Sequence, residues 1–272
     1  MIVDSHLHLW NPESPATPWR PGWARHAHGP RFTVEDALRD MTAAGVERAA
    51  IIPTAWDIRG NDLVLSAAAL HPDRFAAFVT PDLRGPTDAA VLATWRQSGA
   101  SGVRVMFPPG LEPSWLADGT ADWLWPAAAE IGLPVMIWAP GRLDAIRDVA
   151  LEAPSLRLLI DHLNLGMEPS GLGFENDLTM LGSLADLPNI SVKASALPLL
   201  GPDAVPALRR VVDAFGALRV FWGSDLGRLP AGYEAAVAMV ARTGWPRNEA
   251  ERELVLGRGF LEWLGWPVPD LR

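Results

Sequence analysis

His6 and His8 stand two residues apart in the opening segment Val3-Asp4-Ser5-His6-Leu7-His8-Leu9. On a β-strand that spacing turns both imidazoles to one face, where they can hold a water molecule or a metal ion. Asp4 has the same parity, and Val3, Leu7 and Leu9 the opposite one. The segment is therefore expected to alternate a polar inner face with an apolar outer face. His162 closes a second β-rich run, Leu158-Leu159-Ile160-Asp161-His162, and Asp225 closes a third, Val220-Phe221-Trp222-Gly223-Ser224-Asp225. A carboxylate base beside histidines, with cationic donors near a polarised carbonyl, is the equipment for hydrolysis by an activated water. Asp225, His162, His6 and His8 are the candidate catalytic residues. The nitrogen and oxygen donors of His6, His8 and Asp225 would suit one divalent ion, zinc best, so the expected cofactor is either none or one such ion.

These residues need a frame that brings positions 6 and 225 together. Short β-rich runs fall at 2–9, 48–53, 75–79, 102–107, 133–138, 156–161, 189–194 and 218–224. Helical patterns separate them: Thr33 and Asp36 read as a capping box, Gly45 as a helix end, and Asn61-Asp62, Pro86-Thr87, Gly201-Pro202 and Asn248 as helix openings. Eight strand–helix units with right-handed crossovers predict an α/β fold, a (β/α)8 barrel whose active site lies at the C-terminal ends of the strands. In a closed barrel the first and eighth strands are neighbours, so His6, His8 and Asp225 can meet. The stretch 248–264 reads as an amphipathic helix ending at Gly265, expected to cover the outside of the barrel. An open doubly wound sheet is the other fold considered. Against it, no glycine-rich phosphate loop follows the first strand, which leads instead into a Pro- and Trp-rich loop over 10–32.

Composition narrows the partners. The 272 residues, 49% hydrophobic, suffice for one barrel, and residues 1–272 are expected to form a single domain. A net charge of −9, with no run of Lys or Arg, argues against nucleic acid and against an anionic membrane surface. No apolar run approaches the roughly 20 residues of a membrane span, and the start lacks a basic and apolar leader, so a cytoplasmic protein is expected. With no Cys, thiolate metal sites, disulfides and a cysteine nucleophile are excluded. Thirteen Trp against one Tyr read first as packing, with some free to line a pocket. The expected partner is a small anionic substrate held by local arginines, and a homodimer through an apolar helix face is left open.

The ordered set Asp4-Ser5-His6-Leu7-His8-Leu9-Trp10-Asn11-Pro12, Gly102-Val103-Arg104, Asp161-His162, Val192-Lys193-Ala194-Ser195, Gly223-Ser224-Asp225 and Leu256-Gly257-Arg258-Gly259-Phe260-Leu261 resembles the amidohydrolase superfamily. More narrowly it resembles the branch of sugar-acid lactonases and 2-pyrone-4,6-dicarboxylate lactonases. The resemblance spans nearly the whole chain. It implies a (β/α)8 barrel in which the two strand-one histidines, the strand-six histidine and the strand-eight aspartate converge on the hydrolysed bond.

The departures are informative. Binuclear members carry a bridging Lys or Glu on strand four, whereas this strand ends Arg104-Val105-Met106-Phe107. Mononuclear members, decarboxylases among them, usually have a strand-five histidine, whereas this chain has Trp138. A thinned metal set points to a lactone, an activated ester that yields to weaker water activation than an amide. Arg104, Lys193, Trp138 and Arg228 are the expected substrate-binding residues, the guanidinium groups matching carboxylates. Two other readings stand beside lactone hydrolysis: a lactone isomerase or metal-dependent decarboxylase on the same frame, and a barrel that binds a metabolite without turnover.

Several residues carry blander readings. Asp4 is expected as a buried partner of a histidine or backbone amide. His26 and His28, in the first loop, read as lid or surface, and His71 as the end of an alanine-rich helix. Asp57 and Asn61 follow the second strand, a place from which a side chain can reach a sugar hydroxyl or, for Asn61, cap a helix.

Overall fold

In the computed structural model, residues 1–21, 29–85, 89–107, 115–166, 171–195, 197–226, 232–242 and 247–267 are described. Eight parallel strands form one sheet in the order β1 to β8: Val3–Leu9, Arg48–Pro53, Phe75–Val79, Ala100–Met106, Val135–Trp138, Leu158–Ile160, Ile190–Ala194 and Val220–Trp222. Helices α1 (Val34–Ala44), α2 (Gly60–Leu70), α3 (Ala89–Gln97), α4 (Leu124–Glu130), α5 (Leu143–Glu152), α6 (Gly171–Gly182), α7 (Ala204–Phe215) and α8 (Tyr233–Arg242) follow the strands in turn. A final run joins α9 (Glu249–Glu253) to α10 (Gly259–Leu264) through one wide turn, Leu254–Arg258. This is the (β/α)8 barrel expected from the alternation.

Local chemistry sets the boundaries. Thr33 and Asp36 form a reciprocal capping box at the start of α1, and Gly45 ends that helix in the left-handed region at φ 70°. The Asn248 side chain accepts from the Glu251 N–H and opens α9. Asn61 does not cap α2. Its amide instead donates to the Thr80 carbonyl and accepts from the Thr80 N–H, both at 2.9 Å, which ties the start of α2 to the end of β3. The expected opening at Pro86-Thr87 lies outside the described residues.

Two apolar layers hold the barrel. The larger lies between strands and helices and includes Leu7, Leu9, Ile51, Val103, Ile137, Val192 and Val211. The smaller fills the interior: Val3, Ala50, Ile52, Phe78, Met136, Leu159 and Phe221, closed by Phe260 and Leu261. The final helical run thus covers the barrel at the N-terminal ends of the strands and not along its outer wall. Phe260 packs on Phe221 with ring centroids 5.6 Å apart.

Strict alternation fails in β1. Its pairing with β2 shifts register between Asp4 and Leu7, so one extra residue occupies the strand there. Val3 joins the interior layer, and the Asp4 carboxylate meets Tyr233 at the start of α8. Asp4 therefore does not share the histidines' face, as regular parity would require. His6 and His8 point inward all the same.

Candidate active site

The β1–β8 seam builds the site. Gly223 lets the chain beyond β8 approach β1, because a Cβ there would lie 2.9 Å from Ser5 Oγ and 3.1 Å from the His6 nitrogen. The Asp225 N–H donates to the His6 carbonyl at 2.9 Å, and the His8 N–H to the Leu226 carbonyl at 3.3 Å. Asp225 is held in the left-handed region at φ 55°, a conformation that Asp tolerates better than most residues. Asp4 locks the turn from behind. Its carboxylate accepts from the His6 N–H (2.9 Å), the Ser224 N–H (2.8 Å), the Ser224 hydroxyl and the Tyr233 hydroxyl. Asp4 is thus the buried partner of a backbone amide. Burial raises its carboxyl above the ordinary 3.8, against the pull of these hydrogen bonds. Burial, with Asp4 alongside, pushes the Tyr233 hydroxyl well above 10.

Within this frame the rings converge. His6 Nε2 lies 3.1 Å from His8 Nε2, and Asp225 Oδ1 lies 3.6 Å and 3.4 Å from these two nitrogens. His8 Nδ1 faces the Ile52 carbonyl at 3.0 Å. A carbonyl only accepts, so His8 Nδ1 carries a proton, and in the neutral ring Nε2 keeps a lone pair. All three residues are buried.

His162 reaches the same point from β6. The chain after Ile160 makes a tight turn in which His162, Leu163 and Asn164 all have positive φ, 53° to 55°. Asn164 holds that turn to the end of β5, accepting from the Ala139 N–H at 2.9 Å and donating to the Ala139 carbonyl at 2.8 Å. His162 Nδ1 meets Ser195 Oγ at 2.8 Å, and its ring centroid lies 4.6 Å from that of His6. Trp138 stands edge-on to His162 at 6.1 Å, its indole N–H donating to the Leu165 carbonyl.

Beneath the rings lies a buried cluster of charge. Asp161 Oδ1 pairs with Lys193 Nζ at 2.7 Å, and Oδ2 accepts from Arg104 Nε at 3.0 Å. Lys193 Nζ also lies 3.0 Å from His6 Nδ1. Burial works to raise the Asp161 carboxyl, but Lys193 and Arg104 outweigh it and hold it below 3.8. Burial lowers Lys193 to about 8, helped by Arg104 and opposed by Asp161. Burial, then the positive Lys193, carries His6 well below 6.5.

The candidate residues thus divide by depth. His6, His8, His162 and Asp225 come together, with Trp138 against His162. Arg104 and Lys193, expected as substrate contacts, lie below them with 3% and 0% exposure, engaged by Asp161. Arg228, His26 and His28 lie outside the described residues. Asp57 is buried near the start of α2, its Oδ1 accepting from the Arg59 N–H. His71 ends α2, as expected. The residues that sequence reasoning passed over are supporting ones: Asp161, Asn164, Ser195, Ser224 and Tyr233. Asp161, Ser195 and Ser224 lie inside the motifs that carry the family resemblance, and Asn164 is a residue type suited to positive φ.

The family model for amidohydrolases matches residues 3–272. The chain belongs to the amidohydrolase family. Among similar proteins, this amidohydrolase is 29% identical over 240 residues to an L-fucono-1,5-lactonase of Burkholderia ambifaria, covering 82% of this chain and 79% of that one. In fold it resembles an amidohydrolase from Burkholderia multivorans with bound zinc (TM-score 0.82, 20% identity, 98% and 100% of the two chains). It also resembles a probable 2-pyrone-4,6-dicarboxylic acid hydrolase from Acinetobacter baumannii with citric acid bound (TM-score 0.80, 18% identity, 97% and 99%).

The donor set of this amidohydrolase can be tested against a divalent ion. Bonds of about 2.0–2.1 Å in a tetrahedron separate ligand atoms by roughly 3.3 Å. His6 Nε2, His8 Nε2 and Asp225 Oδ1 stand 3.1 to 3.6 Å apart, so they fit one ion with a position left for water. The His8 Nδ1 contact to a carbonyl is the support that a metal-bound histidine usually has. His6 differs, since a lysine ammonium faces its Nδ1. A second group, His6, Asp161 and His162, is close enough to share an ion, but there Asp161 is engaged by Lys193 and Arg104.

Proposed function

We propose that this protein hydrolyses a small lactone, of a sugar acid or a dicarboxylic acid, with Asp225 as the general base. The observation that carries the reading is the placement of the Asp225 carboxylate within 3.6 Å of both strand-one histidines at the barrel mouth. The similarity to an L-fucono-1,5-lactonase supports the substrate class.

In this reading a water sits against Asp225 Oδ1, oriented by His8 and His6. Asp225 takes a proton as the water oxygen attacks the lactone carbonyl carbon, and the carbonyl oxygen becomes an oxyanion. His162, steadied by Ser195, donates toward that oxygen. Collapse breaks the bond from the carbonyl carbon to the ring oxygen, which leaves as a hydroxyl with the proton held on Asp225. The product is one hydroxy acid. Trp138 shapes the wall beside His162, and Arg228 is the proposed contact for a substrate carboxylate. Arg104 and Lys193 contribute positive potential from below through Asp161. A zinc ion held by His6, His8 and Asp225 would supply a more acidic water.

The test is acid release, followed with a pH indicator, from sugar-acid and dicarboxylic lactones. It is run on purified protein, after chelation, and after addition of Zn²⁺ or Mn²⁺. Turnover of one lactone class is expected, and turnover that survives chelation would assign the chemistry to Asp225 and the histidines. Silence in all three arms overturns the reading.

A further inference from the structure

Lys193 is the one lysine in the chain's interior cluster, and it touches a ring nitrogen as well as a carboxylate. Its Nζ lies 2.7 Å from Asp161 Oδ1, 3.0 Å from His6 Nδ1 and 3.0 Å from Met136 Sδ, with no exposure to solvent. Arg104 already gives Asp161 a cation at 3.0 Å, so a counter-charge for Asp161 does not by itself account for a second one. The contact with His6 does.

An ammonium group donates and cannot accept. Facing it, His6 Nδ1 must present a lone pair, which leaves the proton of the neutral ring on Nε2. That nitrogen lies 3.1 Å from His8 Nε2, whose lone pair is assigned independently by the contact of His8 Nδ1 with the Ile52 carbonyl at 3.0 Å. The three contacts agree in direction: Lys193 donates to His6 Nδ1, His6 Nε2–H donates to His8 Nε2, and His8 Nδ1–H donates to Ile52. The other His6 tautomer would set an N–H against the ammonium and two lone pairs against each other at 3.1 Å.

We propose that Lys193 is a positioning residue that never touches substrate: it fixes the ion-free protein's His6 as the Nε2–H tautomer and so aims one N–H at the cleft shared by His8 and Asp225. Its effect on turnover rests on the lactonase reading above. The tautomer itself does not.

The experiment is long-range proton–nitrogen NMR on the whole protein with ¹⁵N-labelled histidine, in chelator and without substrate. The His6 signals are assigned by their loss in His6→Asn. In the wild type, His6 is expected to show a protonated Nε2 and a bare Nδ1, and His8 the reverse. In Lys193→Met the Asp161 Oδ1 that Lys193 releases stands 3.8 Å from His6 Nδ1 and becomes an acceptor for it, so the Nδ1–H form should gain population at the expense of the Nε2–H form, with kcat down roughly 100-fold and KM within about threefold. Lys193→Arg, which also only donates, should restore the tautomer and part of the rate. A wild-type His6 protonated on Nδ1 overturns the proposal, even if Lys193→Met does not fold. An unchanged tautomer or unchanged kcat in folded Lys193→Met overturns it too. The expected spectra without turnover of any lactone would support the tautomer assignment and overturn the hydrolytic reading alone.

Discussion

Ser224 gives both its backbone N–H and its hydroxyl to the carboxylate of Asp4. The residue before the proposed base is thereby fixed to the strand that carries the histidines, and Asp225 inherits its position. Asp4→Ala leaves four buried donors without their acceptor, and should cost about 3 kcal/mol or more. Tyr233→Phe removes one donor and should cost about 1–2 kcal/mol. Urea melts of both variants check the order, and a Tyr233→Phe loss as large as that of Asp4→Ala contradicts it.

Asp225→Asn keeps the shape of the side chain and removes the proposed base. Turnover should fall at least about 1,000-fold with the melting temperature nearly unchanged. Near-normal rates on any hydrolysed lactone would remove Asp225 from the mechanism.

His162→Ala should lower kcat about 100-fold, and Ser195→Ala about tenfold, since the hydroxyl only steadies the ring at 2.8 Å. A change confined to KM would make His162 a binding group. Steady-state kinetics of the two variants separates these outcomes.

Asp161→Asn would leave Lys193 and Arg104 side by side in the interior without their anion. Breaking a buried pair of this kind costs about 3–5 kcal/mol, so this variant should unfold first among those named here. A melt within about 1 kcal/mol of wild type would show that the cluster tolerates the change.

The burial of His6 sets a pH dependence. Its folded value lies well below the ordinary 6.5, so below pH 6.5 the unfolded chain binds a proton that the folded one refuses. Stability is then fully present above about pH 6.5 and is lost as pH falls toward the folded value. Denaturation midpoints from pH 7 to 5 should fall more steeply for the wild type than for His6→Asn. Parallel curves would assign the slope to other groups.

The barrel and the four converging side chains were legible because they depend on short-range signals. The His-x-His pair needed only strand periodicity, and Asp225 and His162 needed only their place at strand ends. What regular parity could not supply was the register shift between Asp4 and Leu7, which depends on how β1 meets β2 and the turn beyond β8. Lys193 and Arg104 read as substrate contacts, whereas they lie buried beneath the rings with Asp161. Their pairing with Asp161, which follows β6 just before the positive-φ turn, is a contact between strands far apart in sequence that no local pattern shows. The final helical run was legible as amphipathic, but which opening of the barrel it covers depends on Phe260 meeting Phe221.

The seam between β1 and the chain beyond β8 joins groups far apart in synthesis. Ser224 and His6 are separated by 218 positions, yet the proposed base and the histidines come together only once both have been made. On a ribosome the first seven strands can pair in sequence while β1 waits with one edge open, its histidines exposed to solvent and to any free metal ion. The arrival of Gly223-Ser224-Asp225 closes the cylinder and assembles the chemistry in a single event. A nascent chain arrested before residue 223 should therefore be largely barrel-like in its pairing and wholly inert.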